Sequence, residues 1–152
     1  MMSFDQFIAH VRRDYGYAGQ VAHIETLPAQ EAKFVADDYA LHPAISDALK
    51  QQGIDRLYTH QADALTALRR QEDVVVVTAT ASGKTLCYQI PTLEALLSDP
   101  QATALYLFPT KALSQDQARG LARFGELNEK LKFSLGTYDG DTPSNQRKTL
   151  RE

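Results

Sequence analysis

The chain has 152 residues, one domain's worth, of which 43% are hydrophobic and 23% charged. That balance excludes the intrinsically disordered class and leaves enough apolar side chain for a buried core. Sixteen Lys and Arg against nineteen Asp and Glu give a formal charge of −3. A histone-like or duplex-coating protein is thereby excluded, and any nucleic-acid role must rest on local groups.

Residues 4–15 read as a first helix with Phe4, Phe7, Ile8 and Val11 on one face. The amino terminus has an early acid and no apolar core of a signal peptide. Residues 16–30 read as a loop with room for one strand. Pro43 opens a helix that runs through Gln52 and is closed by Gly53, the usual Pro-in, Gly-out order. Thr59 is the expected N-cap of a helix over residues 60–71.

From there strands and helices alternate. Residues 73–78 form a β-branched run that is apolar on both faces, as a central parallel strand requires. A helix follows over residues 83–98, with Pro91 expected to kink it and remove one hydrogen bond. Residues 103–108 are a second strand, 111–131 a helix with weak points at Gly120 and Gly125, and 132–137 a third strand. Residues 138–143 form a loop and Ser144 starts a last helix. The order β-α-β-α-β-α predicts an α/β fold, a parallel sheet with flanking helices. We divide the chain into an N-terminal helical and extended segment, residues 1–41, and an α/β part, residues 42–152.

The lone Cys87 excludes an internal disulfide and suits a reducing cytoplasm. His10, His23, His42 and His60 are too scattered for a zinc site. No apolar run approaches the ~20 residues that span a bilayer, so no membrane association is expected.

The strongest signal is Thr78-Ala79-Thr80-Ala81-Ser82-Gly83-Lys84-Thr85, set between a buried strand and a helix. A phosphate-binding loop needs small residues whose backbone N–H groups curl around an anion, and a helix N-terminus aimed at it. It also needs a lysine for the β- and γ-phosphates and a hydroxyl for Mg²⁺; Lys84 and Thr85 fill those places. The first glycine of the usual pattern is replaced by Thr78.

The run Thr80 to Gln89 resembles motif I of superfamily 2 DEAD/DEAH-box helicases, in which that first glycine is often absent. Leu105-Tyr106-Leu107-Phe108-Pro109-Thr110-Lys111-Ala112-Leu113-Ser114-Gln115-Asp116-Gln117 resembles motif Ia, and Tyr138-Asp139-Gly140-Asp141-Thr142-Pro143 the loop after the third strand. Leu57-Tyr58-Thr59-His60-Gln61 is similar to the upstream glutamine motif. The wording is most similar to the YprA/MrfA-like branch of DNA helicases, which move 3′ to 5′ and serve in DNA repair. The likeness covers residues 42–147.

The resemblance implies a RecA-like P-loop domain using ATP and Mg²⁺. Nucleotide would be held by Tyr58, Gln61, Thr80, Ala81, Ser82, Gly83, Lys84 and Thr85, with Lys84 catalytic and Thr85 on the metal. DNA would lie against Pro109, Thr110, Lys111, Asp141 and Thr142. An amide such as Gln61 can donate to and accept from the edge of adenine. Its bland alternative is a helix-start glutamine beside a core tyrosine. Pro109, Thr110 and Lys111 sit at a strand's carboxyl end, where ligands bind in α/β sheets; the alternative is an ordinary N-cap with a surface lysine. Thr142 before Pro143 also reads as an N-cap. Arg147, Lys148 and Arg151 read as a solvated basic face, and Cys87 as packing.

No Asp-Glu-x-His or Asp-Glu-x-Asp occurs in the chain, so the acidic metal-holding motif of these helicases is missing. So is the second RecA-like domain that would partner this one. The expectation is an N-terminal fragment of an ATP-dependent DNA helicase, itself inactive. In the resembled fold the strand bearing the acidic motif lies between the first two strands seen here, so their edges would be left unpaired. A non-catalytic nucleotide- or nucleic-acid-binding module and another type of P-loop enzyme remain the alternatives.

Overall fold

All six predicted helices form. The structure, a computed structural model, describes residues 2–28, 31–36 and 39–150. The chain falls into two units, Met1–Glu31 and Ala32–Glu152. The first unit carries α1 (Phe4–Arg13). The Ser3 hydroxyl accepts from the Gln6 N–H at 3.2 Å, and the Gln6 side chain accepts from the Ser3 N–H at 2.9 Å. This reciprocal cap starts the helix. No residue of α1 is buried.

The second unit contains the core. Helix α2 (Pro43–Gln51) starts on His42, whose side chain accepts from the Ala44 N–H, and Pro43 sits at the first position, where a missing N–H costs nothing. It buries Ala44, Ile45, Ala48 and Leu49. Helix α3 is Thr59–Arg69. Its N-cap is Tyr58 and not Thr59 as expected: the Tyr58 backbone is extended and its N–H donates to the Gln61 side chain three residues on at 2.9 Å. Helix α4 (Leu86–Ser98) contains Pro91 and begins three residues later than expected. The Gly83 backbone, at φ +75°, cannot join it.

Helix α5 (Lys111–Leu127) runs unbroken through Gly120 and Gly125, because Leu121 and Phe124 anchor its inner face. It stops at Asn128, whose extended backbone ends the helix and whose side chain caps the 3₁₀ turn Glu129–Leu131. Helix α6 is Ser144–Thr149. Ile45, Leu49, Leu65, Ile90, Leu93, Leu121, Phe124 and Leu131 pack as one core, with Val35, Tyr39 and Leu41 against it. Arg69 ties α3 to α4: it pairs with Glu94, donates to the Ala40 carbonyl at 2.8 Å and lies over the Tyr39 ring. The carboxylate bond holds the guanidinium pKa up.

The three predicted strand regions are free of helix, but no β-ladder joins them among the described residues. The pairing present there is an antiparallel bridge of Phe34 with Tyr58. The expected parallel sheet therefore has no hydrogen-bonded ladder within the described residues. Alternation of strand and helix along a chain tells which segments are extended and not which are adjacent. Helices cover one face of these segments: Val74, Val76, Tyr106 and Phe108 are half-buried. The opposite face is bare, with Val75, Val77, Leu105 and Leu107 at 88%, 89%, 85% and 86% exposure.

No helix among the described residues is long and apolar enough to cross a membrane. An extended apolar segment with unpaired N–H and C=O groups is a template for association. The isolated 152-residue chain is expected to associate at micromolar concentration and to bind a hydrophobic dye. Val75→Lys with Leu105→Lys should shift it toward monomer in gel filtration; a dye-negative wild-type monomer with a cooperative melt contradicts this.

Candidate functional site: the phosphate loop and its neighbours

The loop from Thr78 to Thr85 folds around its own lysine. Lys84 Nζ donates to the carbonyls of Thr78 at 3.0 Å and Ala79 at 2.5 Å, and lies 3.4 Å from the hydroxyls of Thr78 and Ser82. Those two hydroxyls bond each other at 2.6 Å. Thr78, standing where a glycine is usual, thus closes the loop through its side chain. Two backbone positions curl the chain: Gly83 at φ +75° and Ala81 at φ +59°. For alanine that left-handed conformation costs about 1–2 kcal/mol. The ammonium at the centre of the curl is held by four loop oxygens and by no carboxylate among the described residues, so it is the group a triphosphate would meet in their place. Thr85 is the residue before α4, its backbone already helical and its hydroxyl making no capping bond.

Gln61 locks the loop from behind. Its amide is 2% exposed. Oε1 accepts from the Tyr58 N–H at 2.9 Å, and Nε2 donates to the Gly83 carbonyl at 2.8 Å. A Cβ on Gly83 would stand 2.7 Å from that Nε2 and 3.8 Å from the Tyr58 ring. Tyr58 stacks with Phe34, centroids 4.9 Å apart, and with His60 at 5.7 Å. Arg56 lies over the Phe34 ring at 5.1 Å. Phe34 and Arg56 were not singled out from sequence; an aromatic 24 residues before Tyr58 gives no local signal. Cys87, the second residue of α4, is 4% exposed and its thiol pKa is pushed up by burial.

The second candidate surface forms where α5 begins. The Thr110 hydroxyl accepts from the Leu113 N–H at 3.2 Å, a plain N-cap, and Pro109, Thr110 and Lys111 are exposed. Lys111 pairs with Asp141, 30 residues away in sequence. That contact raises the lysine pKa and lowers the aspartate pKa. Thr142 is turned inward: its hydroxyl accepts from the Asp139 N–H at 2.8 Å and donates to the Thr137 carbonyl at 3.2 Å. It does not cap α6, whose N-cap is Pro143.

Arg147, expected on a solvated face, is instead folded into this loop. It donates to the carbonyls of Thr142 at 2.7 Å, Asp139 at 3.1 Å and Gly140 at 3.2 Å, and lies over the Tyr138 ring. Three carbonyls converging on one guanidinium outweigh the solvation of an exposed side chain. Arg151 lies outside the described residues.

A polar chain links the two surfaces. Tyr88, on α4, donates to Gln117 on α5 at 2.7 Å, and its carbonyl accepts from the Tyr106 hydroxyl at 3.2 Å. Tyr106 in turn bonds the Thr92 hydroxyl at 2.5 Å.

A curled small-residue loop, a central lysine and a following helix define a P-loop phosphate-binding segment. The family model for DEAD/DEAH box helicases matches residues 58–152. The ATP-dependent helicase HRQ1 of Saccharomyces cerevisiae is 37% identical over 97% of this chain and 14% of its own length. A Bacillus subtilis protein named as an uncharacterized ATP-dependent helicase, YprA, is 41% identical over 87% of this chain and 18% of its own. The crystal structure of the DUF1998 helicase MrfA bound to DNA matches with a TM-score of 0.79 at 37% identity, over 99% of this chain and 19% of that one. A second MrfA structure, bound to DNA and AMPPNP, matches with a TM-score of 0.71 at 42% identity, over 81% of this chain and 17% of that one.

The chain belongs to the DEAD/DEAH box helicase family. Its fold is accordingly the RecA-like P-loop fold, and it spans less than a fifth of the length of the curated relatives named here.

Gly83→Ala would force a Cβ onto the Gln61 amide at a positive φ, a strain of about 1–3 kcal/mol. We expect at least tenfold weaker binding of a fluorescent ATP analogue, one factor of ten being ~1.4 kcal/mol. Gln61→Leu should weaken it similarly by orphaning the Gly83 carbonyl. For Cys87, a raised pKa and burial leave little thiolate, so alkylation by N-ethylmaleimide at pH 8 should be far slower than in urea. Equal rates would show the thiol to be open.

Proposed function

We propose that this segment is the ATP-binding part of a DNA helicase that couples ATP hydrolysis to translocation on DNA, 3′ to 5′, in DNA repair. The observation that carries the reading is the Lys84 ammonium at the centre of a curled loop that opens directly into α4. In this reading the backbone N–H groups of Thr80, Ala81, Ser82 and Gly83 cradle phosphate, and Lys84 holds the β- and γ-phosphates. The Thr85 hydroxyl takes Mg²⁺. Gln61, buried with both ends of its amide bonded, braces the loop from behind, and Tyr58 meets the adenine. Pro109, Thr110 and Lys111 form the DNA side, where contacts to phosphate give affinity and not sequence, with Asp141 beside Lys111 and Thr142 turned inward to shape the loop. The similarity to proteins named as ATP-dependent helicases, and to one crystallised with DNA and AMPPNP, supports the assignment.

A second reading has a specific observation behind it. The chain has no Asp-Glu-x-His or Asp-Glu-x-Asp, and its extended segments are bare on one face. In that reading the 152 residues alone are an inactive fragment, or at most a binding module. They work only with the acidic motif and second RecA-like domain of a longer protein in the cytoplasm.

The test is magnesium-dependent ATP hydrolysis with and without single-stranded DNA. The intact protein should turn over ATP faster with DNA, and Lys84→Ala should lower that rate by on the order of 100-fold or more. The isolated 152-residue chain should show no turnover. Hydrolysis that survives Lys84→Ala, or ignores DNA, overturns the first reading; DNA-stimulated turnover by the isolated chain overturns the second.

A further inference from the structure

The Lys111–Asp141 pair has a feature that a plain phosphate-binding lysine lacks. The ammonium expected to meet DNA is already held by a carboxylate on a neighbouring loop. That loop is stiff. Arg147 gathers three of its carbonyls, the Asp141 N–H donates to the Asp139 side chain at 2.8 Å, and Thr142 bonds both Asp139 and Thr137. The Asp141 carboxylate itself has no other hydrogen-bond partner among the described residues than Lys111. It is presented at the α5 N-terminus, where a phosphate would sit, and it carries the same sign of charge as that phosphate. The pair is exposed on both sides. Such pairs are weak, so an incoming phosphate can displace the carboxylate.

We propose that Asp141 is an intramolecular stand-in for nucleic-acid phosphate: it neutralises Lys111 and lowers the affinity of this face for single-stranded DNA. Arg147 is the positioning residue that holds it there. The proposal rests on the DNA-side reading above. Its physical content is one phosphate contact. Lys111 contributes fully only when Asp141 lets go, and the displaced carboxylate then faces the bound strand. One added contact steepens the salt dependence of single-strand binding by about 0.7 in log–log slope, which at 0.1 M salt is about fivefold in affinity relative to 1 M.

The test is the binding of a fluorescein-labelled oligo-dT to the intact protein over a salt series. Wild type is compared with Asp141→Asn, Lys111→Gln and the double variant. Asp141→Ser is included because, among the described residues, the carboxylate bonds Lys111 alone and the loop keeps its main-chain bonds. Both Asp141 variants should bind about fivefold tighter at 0.1 M salt with the steeper slope. Lys111→Gln should bind more weakly, and in its background Asp141→Asn should give no steepening. An unchanged or weaker Asp141→Asn alongside a weakened Lys111→Gln overturns the proposal and leaves the DNA face standing. The same holds if the Asp141→Asn gain survives in full without Lys111. If all variants bind like wild type, the DNA-side reading itself falls.

Discussion

The buried amide of Gln61 is the interaction on which the nucleotide side of this structure depends. It bonds the backbone N–H that starts α3 and the backbone carbonyl of Gly83, so one side chain fixes both a helix start and the curl of the phosphate loop. At 2% exposure it has no water to fall back on. Losing it would orphan a donor and an acceptor at once, each costing about 1–3 kcal/mol. Gly83 is required for the same reason: only a residue without Cβ lets the loop come this close to the amide. The stacked rings of Phe34, Tyr58 and His60 then brace the start of α3 from the other side.

The helical layer is self-sufficient and the extended layer is not. Ile45, Leu65, Ile90, Leu93 and Phe124 satisfy one another within a single core. The segments bearing Val75, Val77, Leu105 and Leu107 have helices on one face and nothing on the other. Parallel strands take both their hydrogen bonds and half their burial from neighbours distant in sequence. The phosphate loop hangs from one of these segments, so its stiffness depends on whatever completes that layer.

Between the two candidate surfaces runs a short polar path, Gln117 to Tyr88 to Tyr106 to Thr92. It joins the helix after the phosphate loop to the segment before Lys111 and to α5, which starts there. Burial holds the Tyr106 hydroxyl pKa up, so the hydroxyl stays protonated and able to donate. On the far side Arg147 does for the 138–142 loop what Gln61 does for the phosphate loop: it collects backbone groups that local geometry leaves open.

All six helices were legible in the sequence, since 3.6-residue periodicity, the Pro43 start and the Gly53 stop are local signals. So was the phosphate loop, because its chemistry is written in eight consecutive residues. What only the tertiary structure decided were the long-range partnerships. Phe34 meets Tyr58, Lys111 meets Asp141, the Gln61 amide turns to Gly83, and Arg147 leaves the solvent for three carbonyls. Thr59 and Thr142, both read as caps, lost that role to Tyr58, which Gln61 bonds from three residues on, and to an inward turn of the Thr142 hydroxyl. Strand adjacency was likewise beyond the sequence. Periodicity reports which face of a segment is apolar, whereas pairing depends on chain placed far away, and no spacing within 152 residues encodes it.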